Sequence, residues 1–141
     1  MKIHPPIRGN DIHGSGEYGA PRGSRTHKGI DIACYAGSEI ESVCDGKITK
    51  IGYPYNPSDA KKGHLRYVQV TDGGGYDVRY FYCLPLHDLK VGDSVSKGEK
   101  VAQSQGLLEI YPGITDHFHF EVKYQGEHQN PYDYLNSIDE W

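Results

Sequence analysis

The stretch Asp116-His-Phe-His-Phe-Glu-Val-Lys-Tyr124 constrains the fold more than any other part of this chain, because after Asp116 its polar and apolar residues alternate without a break. Period two is the period of a β-strand, so His117, His119, Glu121 and Lys123 share one face and Phe118, Phe120, Val122 and Tyr124 the other. A strand with rings on one side and imidazoles on the other belongs between a core and a polar site. The two imidazoles stand roughly 6.5 Å apart along such a strand, so one can hold a metal at about 2 Å while its neighbour acts from the next layer.

A second cluster, His27-Lys-Gly-Ile-Asp31, lies about ninety residues earlier. Catalytic zinc takes three protein ligands from His and Asp/Glu and keeps a fourth position for water. His27, Asp31 and His119 meet that count for one Zn2+ per chain and leave His117 as a candidate base, which is a hydrolase's inventory. In a straight strand His27 and Asp31 would lie roughly 13 Å apart, so the chain must bend between them. Gly29 is the residue that allows the bend. Either motif alone is more often a plain polar face. Their co-occurrence, each where a glycine-rich loop becomes strand, is what points to a metal.

The rest of the chain sets the frame. Its 141 residues suit one domain, with residues 1–23 as a Gly/Pro-rich arm and 24–141 as the β domain. A net charge of −4 without a basic stripe gives no reason to expect nucleic acid or an anionic membrane as partner. No apolar run approaches 18 residues and the opening residues lack a signal-peptide core, so the expectation is a soluble chain without an export signal. Cys34, Cys44 and Cys83 are odd in number and lack Cys-x-x-Cys spacing, which argues against a disulfide framework.

Eighteen Gly and twelve Tyr against three Phe, one Trp and one Met describe short strands joined by many turns. Strands are expected near 29–33, 39–43, 46–52, 65–71, 77–83, 100–104 and 118–124, with a hairpin at Asp72-Gly-Gly-Gly75 and one long polar loop over 53–63. The fold class is all-β, a compact antiparallel sandwich or barrel.

Several segments, in order, resemble the lysostaphin-type zinc peptidoglycan endopeptidases: Arg25-Thr-His-Lys-Gly-Ile-Asp-Ile32, Asp45-Gly-Lys-Ile48, Val91-Gly-Asp-Ser-Val-Ser-Lys-Gly98, His117-Phe-His119-Phe-Glu121 and Asn130-Pro-Tyr-Asp-Tyr-Leu135. Within that family the pattern is similar to the leukocyte cell-derived chemotaxins, through His13-Gly-Ser-Gly-Glu-Tyr18, Lys97-Gly-Glu-Lys100 and Tyr111-Pro-Gly-Ile114. The resemblance implies a duplicated β-sandwich, with His27, Asp31 and His119 as zinc ligands and His117 as a catalytic histidine. It implies hydrolysis of peptidoglycan peptide crosslinks. The peptidases place a second catalytic histidine in Tyr-x-His-Leu, and here the segment reads Phe81-Tyr82-Cys83-Leu84. By that register Cys83 faces the site and Tyr82 faces away, and Tyr82, His87 and His13 are the substitute donors to consider. The chemotaxin likeness implies the alternative, a non-catalytic zinc-binding module, which would serve a protein partner or, in a phage, act as a virion structural protein. A phage particle or lysis protein would suit a chain without an export signal.

Overall fold

The structure, a computed structural model, describes Arg8, residues 14–22 and residues 25–138. Two short strands, β1 (Pro21–Arg22) and β2 (Arg25–Thr26), pair with each other ahead of β3 (Ile30–Ala33). The large antiparallel sheet is centred on β5 (Gly46–Gly52), β6 (Tyr67–Asp72), β7 (Tyr76–Phe81) and β11 (His117–Tyr124). Its edges are β9 (Ser94–Val95), beside β5, and β12 (Glu127–Gln129), beside β11. The smaller sheet runs β4 (Glu39–Glu41), β10 (Lys100–Ser104), β8 (Cys83–Pro85). This is the expected all-β sandwich.

Alternation builds the core that the two sheets share. Val68 and Val70 on β6, Val78 and Tyr80 on β7, and Phe118, Phe120 and Val122 on β11 are all buried, with Ile40, Cys83, Val101 and Ala102 supplied by the small sheet. Full burial of a Val, Ile or Phe side chain is worth about 1.5–3 kcal/mol, so this double row carries most of the stability. Neighbouring Val101 and Ala102 can both turn inward because the β10–β4 register shifts between Lys100 and Ala102. The Tyr80 hydroxyl, deep in that core, accepts the Val43 N–H at 3.0 Å.

The expected hairpin joins β6 to β7. Asp72 Oδ1 accepts the backbone N–H groups of Gly74 and Tyr76, and Gly75 takes a φ of 89° that favours glycine. Asp72 Oδ2 accepts the Tyr134 hydroxyl at 2.8 Å, which ties the hairpin to α1 (Pro131–Ser137). That helix starts where it does because the Asn130 side chain caps the Tyr132 N–H and Pro131 needs no partner for its missing donor. All three cysteines are free thiols. Among the described residues no helix is long and apolar enough to cross a membrane.

One expected strand is split. Residues 76–85 form β7 and β8 with Tyr82 between them at a φ of 67°, the left-handed region that a bulky side chain rarely adopts. The N–H groups of Tyr82 and Cys83 both reach the Arg66 carbonyl, at 2.8 and 3.2 Å, which is the hydrogen-bond signature of a β-bulge.

Candidate metal centre

Three elements meet at the site. The segment between β2 and β3 carries His27, β3 carries Asp31, and β11 carries His117 and His119. Antiparallel pairing sets His119 directly across from Asp31. Gly29 makes the close approach possible, since a Cβ there would overlap the Phe120 carbonyl oxygen and stand 2.8 Å from the His119 ring. Its φ is ordinary, so close packing is what requires glycine here, and the bend expected from sequence is secondary.

His27 Nε2, Asp31 Oδ1 and His119 Nδ1 converge, with separations of 3.1 Å for His27 to His119, 3.1 Å for His27 to Asp31 and 2.9 Å for His119 to Asp31. These three residues could hold a metal ion. Donors about 2.0–2.1 Å from a tetrahedral zinc lie about 3.3 Å from one another, so the spacing fits with a shift of a few tenths of an ångström.

The outer partners fix which atom of each residue points inward. His27 Nδ1–H donates to the Glu17 carbonyl at 2.9 Å, and His119 Nε2–H donates to Glu121 Oε1 at 2.9 Å. Each bond fixes the tautomer, leaving the inward nitrogen with a lone pair, as metal-binding histidines require. Glu121 is held in turn by Arg79 and His128, each 3.0 Å from Oε2. Arg8 Nη1 donates to Asp31 Oδ2 at 2.9 Å, so one carboxylate oxygen faces the cluster and the other is occupied.

Electrostatics say the same. Two lone pairs and a carboxylate oxygen at about 3 Å repel unless a cation lies among them. Burial would push the His119 pKa down, but the Asp31 and Glu121 carboxylates on its two nitrogens lift it to about 9. Burial likewise opposes the Asp31 charge, yet bonds from His119 and His27 hold its carboxyl well below the usual range. Glu121 is drawn down to about 2, its burial outweighed by His119 and Arg79. A divalent cation would displace the proton on His119.

His117 sits beside this cluster. Its Nδ1–H donates to the Thr115 carbonyl at 2.8 Å, leaving Nε2 3.5 Å from Asp31 Oδ2. Burial, opposed by Asp31, lowers its pKa, so the ring is neutral and Nε2 can accept a proton at pH 7. The sequence thus brought His27, Asp31, His117 and His119 to one place.

Cys83 is not there. The bulge reverses the facing expected from the peptidase register: Cys83 points into the core with its thiol donating to the Tyr80 carbonyl, and burial pushes that thiol up to about 12. A thiol so held is neither a zinc ligand nor a nucleophile. Tyr82 lines the pocket instead, its ring 6.2 Å from both His117 and His119 and its hydroxyl 3.4 Å from that of Tyr55. Burial, with Tyr55, Asp31 and Tyr111 nearby, holds the phenol well above its ordinary range, so it is a neutral donor. A non-glycine residue in this conformation costs about 1–2 kcal/mol.

Of the other histidines, His64 and His87 are exposed, His128 serves Glu121, and His4 and His13 lie outside the described residues. Sequence reasoning gave no role to Glu121, although it lies two residues from His119 on the same face. It also missed Arg8, the Glu17 and Thr115 carbonyls and the placement of Tyr82, for which no local signal exists.

Known proteins are similar to this chain in sequence and in fold. Leukocyte cell-derived chemotaxin-2 of Bos taurus is 36% identical over 115 residues, covering 82% of this chain and 72% of that protein. Lysostaphin from Staphylococcus simulans superposes with a TM-score of 0.66 at 22% identity over 91% of this chain, and a zinc-containing peptidase from Vibrio cholerae with a TM-score of 0.59 at 22% identity over 92%. The chain spans 50% of that lysostaphin and 37% of the Vibrio cholerae chain. Because the sequence model of peptidase family M23 matches residues 25–131, a span holding His27, Asp31, His117 and His119, the chain belongs to peptidase family M23.

Proposed function

We propose that this domain is a zinc metalloendopeptidase that hydrolyses peptide crosslinks of bacterial peptidoglycan. The observation that carries the reading is the convergence of His27 Nε2, Asp31 Oδ1 and His119 Nδ1 with a neutral His117 beside them. Zinc held by those three atoms would supply Lewis acidity toward the scissile carbonyl and an acidified water. The chain's own residues do the rest. His117 Nε2 takes the proton of the attacking water and returns it to the leaving amine, while the Thr115 carbonyl keeps the ring in the right tautomer. Tyr55, Tyr82, Tyr111 and Ile114 wall the groove above the donors, where an extended peptide would lie. Substrate identity rests on the likeness to lysostaphin and on the family.

Metal analysis and wall digestion test the reading. Protein purified without added metal should carry about one zinc per chain. His27→Ala and His119→Ala should lose it, and His117→Ala should keep the zinc and lose digestion. A parent without zinc rejects the site. The second reading, a zinc-stabilised binding module, is favoured by one observation: no histidine stands where the peptidases have their second one. A zinc-loaded parent that leaves walls intact would select it.

A further inference from the structure

We propose that the Tyr82 hydroxyl is the oxyanion donor of this site, giving a hydrogen bond to the carbonyl oxygen of the substrate peptide as negative charge develops on it. The inference rests on the peptidase reading and deepens it. Hydrolysis by a water needs a base to take a proton and a donor for the oxygen that gains charge. His117 supplies the first. The second is missing from the sequence register, because Cys83 faces the core.

Geometry supplies it one residue earlier. The bulge that splits β7 from β8 turns Tyr82 into the pocket, where its ring is equidistant from His117 and His119. That turn is pinned on three sides: the Tyr82 and Cys83 N–H groups share the Arg66 carbonyl, the Gln105 N–H donates to the Tyr82 carbonyl at 2.9 Å, and Gln105 Oε1 accepts the Arg66 N–H at 2.8 Å. Glycine is the residue this backbone favours, and the tyrosine is held there against that preference. A conformation maintained at such a disadvantage beside a reaction centre is where positioning for function is found. Behind the phenol stands the Tyr55 hydroxyl, 3.4 Å away, at the start of the long polar loop. With Tyr55 donating to the Tyr82 oxygen, the phenol is oriented and its own hydrogen is left free to follow the substrate oxygen. No proton changes hands in this step: the hydrogen stays on the phenol while the bond to the oxyanion shortens.

The test compares Tyr82→Phe, which deletes only the hydroxyl, and Cys83→His with the zinc-loaded parent. The probe is a glycine-based phosphinic peptide, whose tetrahedral anion mimics the carbonyl oxygen after attack. Tyr82→Phe should keep full metal content and the parent's melting curve, bind the probe at least about tenfold more weakly, and lose about 10²–10³ in kcat with KM nearly unchanged. Equal probe affinity in parent and Tyr82→Phe would overturn the assignment. Cys83→His should lower the melting temperature and gain no activity; a folded, metal-loaded Cys83→His with raised turnover would also overturn it, by putting position 83 at the site. If the parent digests no wall, the endopeptidase reading fails on its own, and the probe affinities alone decide Tyr82.

Discussion

Two of the strands that reach the candidate centre, β11 and the one over residues 76–85, obey different rules. Along β11 every residue keeps its parity, so His117 and His119 face the donors and Phe118 and Phe120 face the core. Along residues 76–85 parity holds to Phe81 and then slips at one bulged residue, so Tyr82 enters the site and Cys83 enters the core. Side-chain period in a strand is two, and a single inserted residue exchanges the faces of everything after it. One strand can be read from its letters. The other can be read only with its neighbour's hydrogen bonds in hand.

That contrast can be broken or sharpened by substitution. The largest effect is expected on the regular strand: His119→Ala should abolish metal binding, read as loss of zinc by elemental analysis, because Asp31 and His27 alone leave an incomplete set. Next comes the contact that lets β3 meet β11. Gly29→Ala forces a methyl group against the Phe120 carbonyl and the His119 ring, and should cost about 3 kcal/mol, a fall of roughly 10 °C in melting temperature, with weakened zinc binding. Unchanged stability there would show that the strands are farther apart than described. Glu121→Gln keeps the shape but removes the charge from the bond that orients His119, and competition with a chelator should show zinc affinity down about 10–100-fold. The smallest effect belongs to the slipped strand. Cys83→Ala should cost about 1 kcal/mol by urea unfolding and leave zinc affinity and any wall digestion untouched. A change in metal binding by Cys83→Ala would restore the parity that the bulge removes.

Legibility followed locality. The span of β5, the β6–β7 hairpin and the histidine face of β11 are set by alternation and turn chemistry within a few residues, and they stand where the sequence predicts them. The pairing of His27, Asp31 and His119 was legible through ligand chemistry, since few functions ask for that set. What sequence could not provide depends on distant partners. Tyr82 turns inward because Arg66 and Gln105 hold its backbone, 16 and 23 residues away in the chain. Arg8 reaches Asp31 from a segment whose composition reads as a loose arm. Gly29 reads as a hinge, yet it is needed for contact with a strand that comes ninety residues later.

The donor atoms of His27 and His119 come from positions 92 apart, so any ion gripping both also fastens the early part of the chain to the late part. Such a fastener shrinks the repertoire of the denatured polypeptide much as a covalent bridge across the same span would, in a molecule whose three thiols form none. Stripping the ion should therefore loosen the β3 edge of the large sheet ahead of the hairpin at its centre, an order that amide exchange would record as early loss of protection at residues 30–33.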